Sequence, residues 1–167
     1  TGERNAFYGA NSGFANTTGN DNSLFGFQAG IGNTNGALNT FLGYGAGGAN
    51  TLGSSNTVIG AGANVLQPDL SNATAIGAKS FVSQSNSLVL GSINGIGGAS
   101  ADTNVGIGTT APNERLHVVG NGLFTGNLTV NGALAGSFSV PATNISGVLA
   151  PSNGGNCRHT PDTQRIA

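Results

Sequence analysis

The sequence predicts an all-β chain, a parallel β-solenoid of about 17 residues per coil followed by an interwoven β shaft. Three observations predict it. First, the composition opposes helices. Of 167 residues, 30 are Gly and 22 are Asn, only 7% are charged, and Met and Trp are absent. Gly and Asn form helices poorly and turns well. Second, a glycine frame recurs through the first 108 residues. Third, each framing glycine up to Gly91 follows two adjacent apolar residues, which in a strand point to opposite faces.

The frame sets the elements in order. NAFYG (5–9), NSLFG (22–26), NTFLG (39–43) and NTVIG (56–60) start 17 residues apart, and TAIG carries the frame to Gly77. A step of 14 leads to SLVLG, ending at Gly91, and a further 17 leads to NVGIG, ending at Gly108. Other columns follow: Asn16, Asn33 and Asn50; Thr17, Thr34 and Thr51; Gly19, Gly36 and Gly53; and the small residues Ser12, Ala29, Ala46, Ala63 and Ser80. A period this short suits two short strands and two turns, one coil of a solenoid. Seven coils stacked about 4.8 Å apart would form a rod segment roughly 34 Å long. Repeated residues then become ladders, in which Asn side chains hydrogen-bond from coil to coil. The glycines are expected to take the positive φ angles of tight turns.

The apolar doublets carry a consequence for assembly. One column reads Phe7, Leu24, Phe41, Val58, Ala75, Val89; the next reads Tyr8, Phe25, Leu42, Ile59, Ile76, Leu90, Ile107. One column fills the coil's own core. The other is expected to face a second copy of the chain, because an uncovered stripe of that length invites aggregation. The alternative is a bent coil that turns both columns inward.

After Gly108 the period changes. TTAPNERLHVVG carries Glu114 and Arg115, and a six-residue rhythm then places strand-like pieces between Asn-Gly turns at Asn121–Gly122 and Asn131–Gly132. These pieces hold too few apolar residues for a core of their own, which predicts strands interwoven from several chains. The expected organisation is a repeat domain at 1–108, a β-rich neck or shaft at 109–140, and a linker or tail at 141–167.

Charge and motifs narrow the function. The net charge is −1, with no basic stripe for nucleic acid and no apolar run long enough to span a bilayer. The sequence begins without Met or a signal-peptide pattern, and the expectation is that it starts at a processing site or is cut from a longer protein, with any signal upstream. Its single cysteine, Cys157, leaves no internal disulfide. Gly106–Ala111 fits the dinucleotide fingerprint G-x-G-x-x-A, but Pro112 and repeat glycines stand where a helix is needed. GAKS (77–80) lacks phosphate-loop spacing, and Lys79 is expected to be a solvated side chain. His117, three residues after Glu114, is expected to face outward or toward its copies at a symmetry axis. Cys157 and His159 lack the second cysteine or acid that a metal or nucleophile site requires. No GxSxG elbow or carboxylate pair appears. Asn16, Asn72, Asn127 and Asn144 fit glycosylation sequons, as chance allows in so Asn-rich a chain. The expectation is a protein that is not an enzyme, with no catalytic, cofactor-binding or metal residues.

Two segments resemble known fibres. NTTGNDNSLFGFQAG (16–30) is similar to the head repeats of trimeric autotransporter adhesins and related bacterial and phage fibres. NVGIGTTAPNERLHVVGNGLFTGNLTVNG (104–132) resembles the neck or shaft segment that follows such repeats in phage tail fibres and bacterial surface proteins. The resemblance implies a homotrimer of left-handed parallel β-rolls, an interwoven shaft, and an extracellular or cell-surface setting. The present repeat is longer than the one common in adhesin heads, and the chain from Cys157 onward is unlike the family. The expected function is a non-catalytic structural or adhesive segment of an extracellular fibre or filament, whose partners are its own copies and a surface receptor or matrix. A receptor-binding tail fibre of a phage or injection system, located on a virion tail, uses the same scaffold. An ice-binding solenoid is the third reading, on the Thr17/Thr34/Thr51 and Thr40/Thr57/Thr74 ladders. End-to-end stacking of coils into a filament is a further expectation.

Overall fold

A computed structural model describes residues 2–129 and Asn131. The rest of the expected shaft (130 and 132–140), the 141–167 tail with Cys157 and His159, and the Asn144 sequon lie outside the described residues. The chain divides at Leu123/Phe124. In the second unit the described residues 124–129 and Asn131 form no strand, and each is exposed.

The first unit contains ten short strands and, among the described residues, no helix. They are β1 (Ala6–Tyr8), β2 (Ser23–Phe25), β3 (Thr40–Leu42), β4 (Thr57–Ile59), β5 (Asn64–Val65), β6 (Thr74–Ile76), β7 (Phe81–Val82), β8 (Leu88–Leu90), β9 (Val105–Ile107) and β10 (Leu116–Val118). The main sheet runs β1-β2-β3-β4-β6-β8, every pair parallel. The register follows the repeat: Phe7, Leu24, Phe41, Val58, Ala75 and Val89 stand over one another, as do Tyr8, Phe25, Leu42, Ile59, Ile76 and Leu90. This is a parallel β-solenoid of about five turns.

The stack differs from the expected seven coils. NVGIG keeps the glycine frame, yet β9 pairs with β10 in a separate parallel sheet. The reason lies in the core column. It would continue from Val89 to Gly106, which has no side chain to extend the apolar core. The segment before β9 closes on itself instead. Gly95 N–H donates to Ala99 O (2.9 Å), Asn94 N–H donates to Asp102 Oδ1 (2.7 Å), and Arg115 pairs with Asp102. The 14-residue step is a local deletion. Ser71 N–H donates to Ser85 Oγ, and Asn72 Nδ2 to Asn86 Oδ1, so the last coil lacks a counterpart of Pro68-Asp69-Leu70.

The core is one residue wide on the strand side. Leu24, Phe41, Val58 and Ala75 are fully buried and meet Ala29, Ala46 and Ala63 from the opposite wall. A second strand per coil was expected, but only two coils have one, β5 and β7, which pair together. In the coils built on Leu24 and Phe41 the opposite wall turns instead at Gly30 (φ 59°) and Gly47 (φ 65°), and the large side chains occupy the space a Cβ would need. Where the core residue shrinks to Val58 and Ala75, Asn64 and Phe81 replace that glycine. The wall then straightens, and Val65 and Val82 enter the core. Volume lost on one wall is restored by the other, as close packing demands.

Two columns of asparagine stitch the coils together. In the first column, Asn22 Oδ1 accepts Asn39 N–H (3.0 Å), Asn39 Oδ1 accepts Asn56 N–H (2.9 Å), and Asn56 Oδ1 accepts Ala73 N–H (2.9 Å). The amide ends donate to the next coil at Gly36 O, Gly53 O and Leu70 O. In the second column, Asn50 Nδ2 donates to Asn33 Oδ1 (2.8 Å), and Asn33 Nδ2 to Asn16 Oδ1 (3.2 Å). The columns touch where Asn56 Nδ2 donates to Asn50 Oδ1 (3.0 Å). Asn22, Asn33, Asn39, Asn50 and Asn56 are all buried, so these bonds satisfy amides that would otherwise be costly.

Candidate functional site

The repeat presents one continuous outward face. Alternation along β2, β3, β4 and β6 sends the middle residue to the core and its neighbours out. Phe41 is fully buried, for example, while Leu42 is 49% exposed. Tyr8, Phe25, Leu42, Ile76 and Leu90 are exposed and Ile59 is half-buried, so the alternative of two inward columns does not hold. Six rungs at about 4.8 Å make a stripe roughly 24 Å long.

The columns on either side widen the stripe. One holds Ala6, Ser23, Thr40, Thr57, Thr74 and Leu88, on the same face of the same strands. The other follows the framing glycines and holds Ala10, Phe27, Tyr44, Ala61 and Ala78. Phe27 and Tyr44 stack at 5.7 Å with an 8° tilt, and Tyr8 and Phe25 lie 6.5 Å apart. No charged residue falls in these three columns. Charge is displaced to the flanks, where Arg4 spans two coils to Asp21 through a pair of bonds at 2.6 and 2.9 Å. A face without charge can be covered without stripping water from an ion.

The chemical motifs fare differently. β9 runs into Gly108 and then a bend at Thr110–Ala111, so Gly106–Ala111 opens no helix that could receive a phosphate. Lys79, expected to be a solvated side chain, is exposed, and its Nζ donates to Gly98 O at 2.6 Å, which ties the fifth coil to the loop beyond β8. His117, expected to face outward or toward its copies at a symmetry axis, lies at the centre of β10. Its neighbours Leu116 and Val118 are exposed, but the imidazole is half-buried beside Gly106, and its enclosed Nδ1 has no hydrogen-bond partner among the described residues. No group of three His, Cys, Asp or Glu side chains comes together among the described residues, and no helix there is long and apolar enough to cross a membrane.

The two threonine ladders are not alike. Thr17, Thr34 and Thr51 spend their hydroxyl hydrogens on carbonyls of the next coil, Thr34 O (3.0 Å), Thr51 O (3.0 Å) and Pro68 O (3.3 Å). Thr40, Thr57 and Thr74 stand beside the apolar stripe. The Asn16/Asn33/Asn50 ladder matches the expected coil-to-coil bonding, and the missed feature is the second ladder, Asn22/Asn39/Asn56, six residues on. Its signal was present as Asn16/Asn22, Asn33/Asn39 and Asn50/Asn56.

No protein-family model matches this chain, and no curated protein or solved structure matches it.

Proposed function

We propose that this chain is a structural and adhesive segment of an extracellular fibre, assembled from parallel copies packed through the outward stripe. One observation carries the reading: an uncharged, apolar face of six regular rungs on a scaffold whose own core is already filled. Covering a half-exposed Leu, Ile or Phe side chain contributes about 1 kcal/mol, so six rungs supply a substantial driving force. The resemblance of 16–30 to adhesin head repeats supports three copies, a left-handed roll and a cell-surface setting. Residues 109–140 are then the neck in which the chains interweave. Lateral packing accounts for the stripe better than end-to-end growth does. The asparagine column reads Asn5, Asn22, Asn39, Asn56 and then Ala73 and Ser87, so the coil at β8 offers no amide to a following copy. The tail-fibre reading shares this scaffold and rests on the resemblance of 104–132.

Light scattering of the purified chain across a range of concentrations tests the proposal. A stable mass of three chains is the expected result. A monomer of 16.3 kDa at every concentration overturns lateral assembly. A mass that keeps growing with concentration points to end-to-end stacking instead.

A further inference from the structure

Asparagine followed by glycine is a chemically unstable pair, and the described residues contain three complete ones: Asn35–Gly36, Asn94–Gly95 and Asn121–Gly122. In this reaction the glycine backbone nitrogen attacks Cγ of the asparagine side chain. The nitrogen gives up its proton, the C–NH2 bond breaks, and ammonia leaves. Water then opens the resulting five-membered imide to an aspartyl or isoaspartyl residue. The reaction needs a free glycine N–H and a side-chain amide free to turn toward it.

The fold treats the three pairs unequally. Gly36 N–H is held by Thr51 O (3.3 Å) inside a stacked coil, and Asn35 Nδ2 is held by Thr18 Oγ1 (2.6 Å). Gly95 N–H is held by Ala99 O (2.9 Å), and Asn94 N–H by Asp102 Oδ1. Asn121 and Gly122 follow β10, both are exposed, and neither has a hydrogen-bond partner among the described residues. The ladder asparagines are guarded in the same way, since Thr40 N–H and Thr51 N–H, next to Asn39 and Asn50, donate to the neighbouring coil. We infer that Asn121 is a site of spontaneous deamidation in the folded chain, and that Asn35 and Asn94 are protected by their hydrogen bonds.

The conversion takes the net charge from −1 to −2. Its isoaspartyl product also inserts a methylene into the backbone just beyond β10. The other two pairs react only from locally opened states, and each 1.4 kcal/mol of opening free energy slows them about tenfold.

The test is incubation of the native full-length chain at mildly alkaline pH, with isoelectric focusing and peptide mass mapping over time. Asn121 is expected to convert at least about tenfold faster than Asn35 or Asn94, and the difference is expected to collapse in denaturant. Asn121→Gln is expected to abolish conversion at this position while leaving the fold intact. Equal rates at the three sites in the native chain, or a native Asn121 that reacts no faster than Asn35, would overturn the inference.

Discussion

Glycine and asparagine do different work at the residue scale. Gly43 sits at φ 132°, and a Cβ there would lie 2.7 Å from the carbonyl carbon and oxygen of Gly60 in the next coil. Gly45, two residues on, has φ 63° and open space around it. Gly45→Ala is therefore expected to cost about 1–2 kcal/mol, the strain of a left-handed residue alone. Gly43→Ala adds a clash with backbone and is expected to cost more than about 4 kcal/mol or to prevent folding. Chemical denaturation compares the two, and equal losses would refute the clash. Asn39→Ala strands the Asn56 N–H, whereas the Gly53 carbonyl keeps its bond from Asn50 Nδ2. With one buried orphan, a loss of about 1–3 kcal/mol is expected, against less than about 1 kcal/mol for the exposed Asn35→Ala. The coil-to-coil spacing of asparagine was legible in the sequence. The role of each end of the amide was not, because it depends on which backbone groups the neighbouring coil presents.

The solenoid and the β9–β10 pair differ at the element scale. β2, β3, β4 and β6 each bury their middle side chain completely, whereas β9 and β10 bury no residue fully. Amide hydrogen exchange is expected to be slowest in β3 and β4 and much faster in β9 and β10. Uniform protection across all ten strands would contradict this. Two solvent-accessible carboxylates, Asp21 and Asp102, give the elements a modest acid sensitivity. The Arg4 guanidinium hydrogen-bonds Asp21 and holds its carboxyl below the ordinary range, outweighing a smaller desolvation effect. Asp102 is lowered first by the Asn94 backbone N–H and then by Arg115. A lowered folded pKa stabilises the fold above the ordinary carboxylate pKa of about 4 and loses that contribution as pH falls through the folded value. Melting temperature is expected to fall below about pH 4, and the combined Asp21→Asn and Asp102→Asn variant to show a flatter acid limb. Both groups are solvated, so the effect is small. An acid limb unchanged in the double variant would place the sensitivity elsewhere.

The stripe governs association at the scale of the whole molecule. Leu42→Asp and Ile76→Asp place a charge in the middle of the proposed contact while leaving Phe41 and Ala75 in the core. Each is expected to shift the assembly toward monomer in light scattering, with little change in the circular dichroism of the monomer. An assembly that survives both substitutions would move the interface to another face. A wholly unfolded variant would show instead that the outward column supports the coil itself.

The sequence by itself determined the parallel ladder, its register and the division of the apolar doublets into a core column and an outward column. A repeat that pairs with itself leaves only one alignment in which like residues meet, so period and register are the same information. Only the tertiary structure decided where the stack stops and how its second wall is built. The glycine frame runs on to Gly108, but stacking requires a filled core, and Gly106 cannot fill one. The wall turns at Gly47 and straightens at Asn64 and Phe81, because the volume left by Phe41, Val58 or Ala75 is known only once both walls are in place. Local periodicity specifies neighbours along the rod, whereas packing across it depends on shape from two distant parts of each coil.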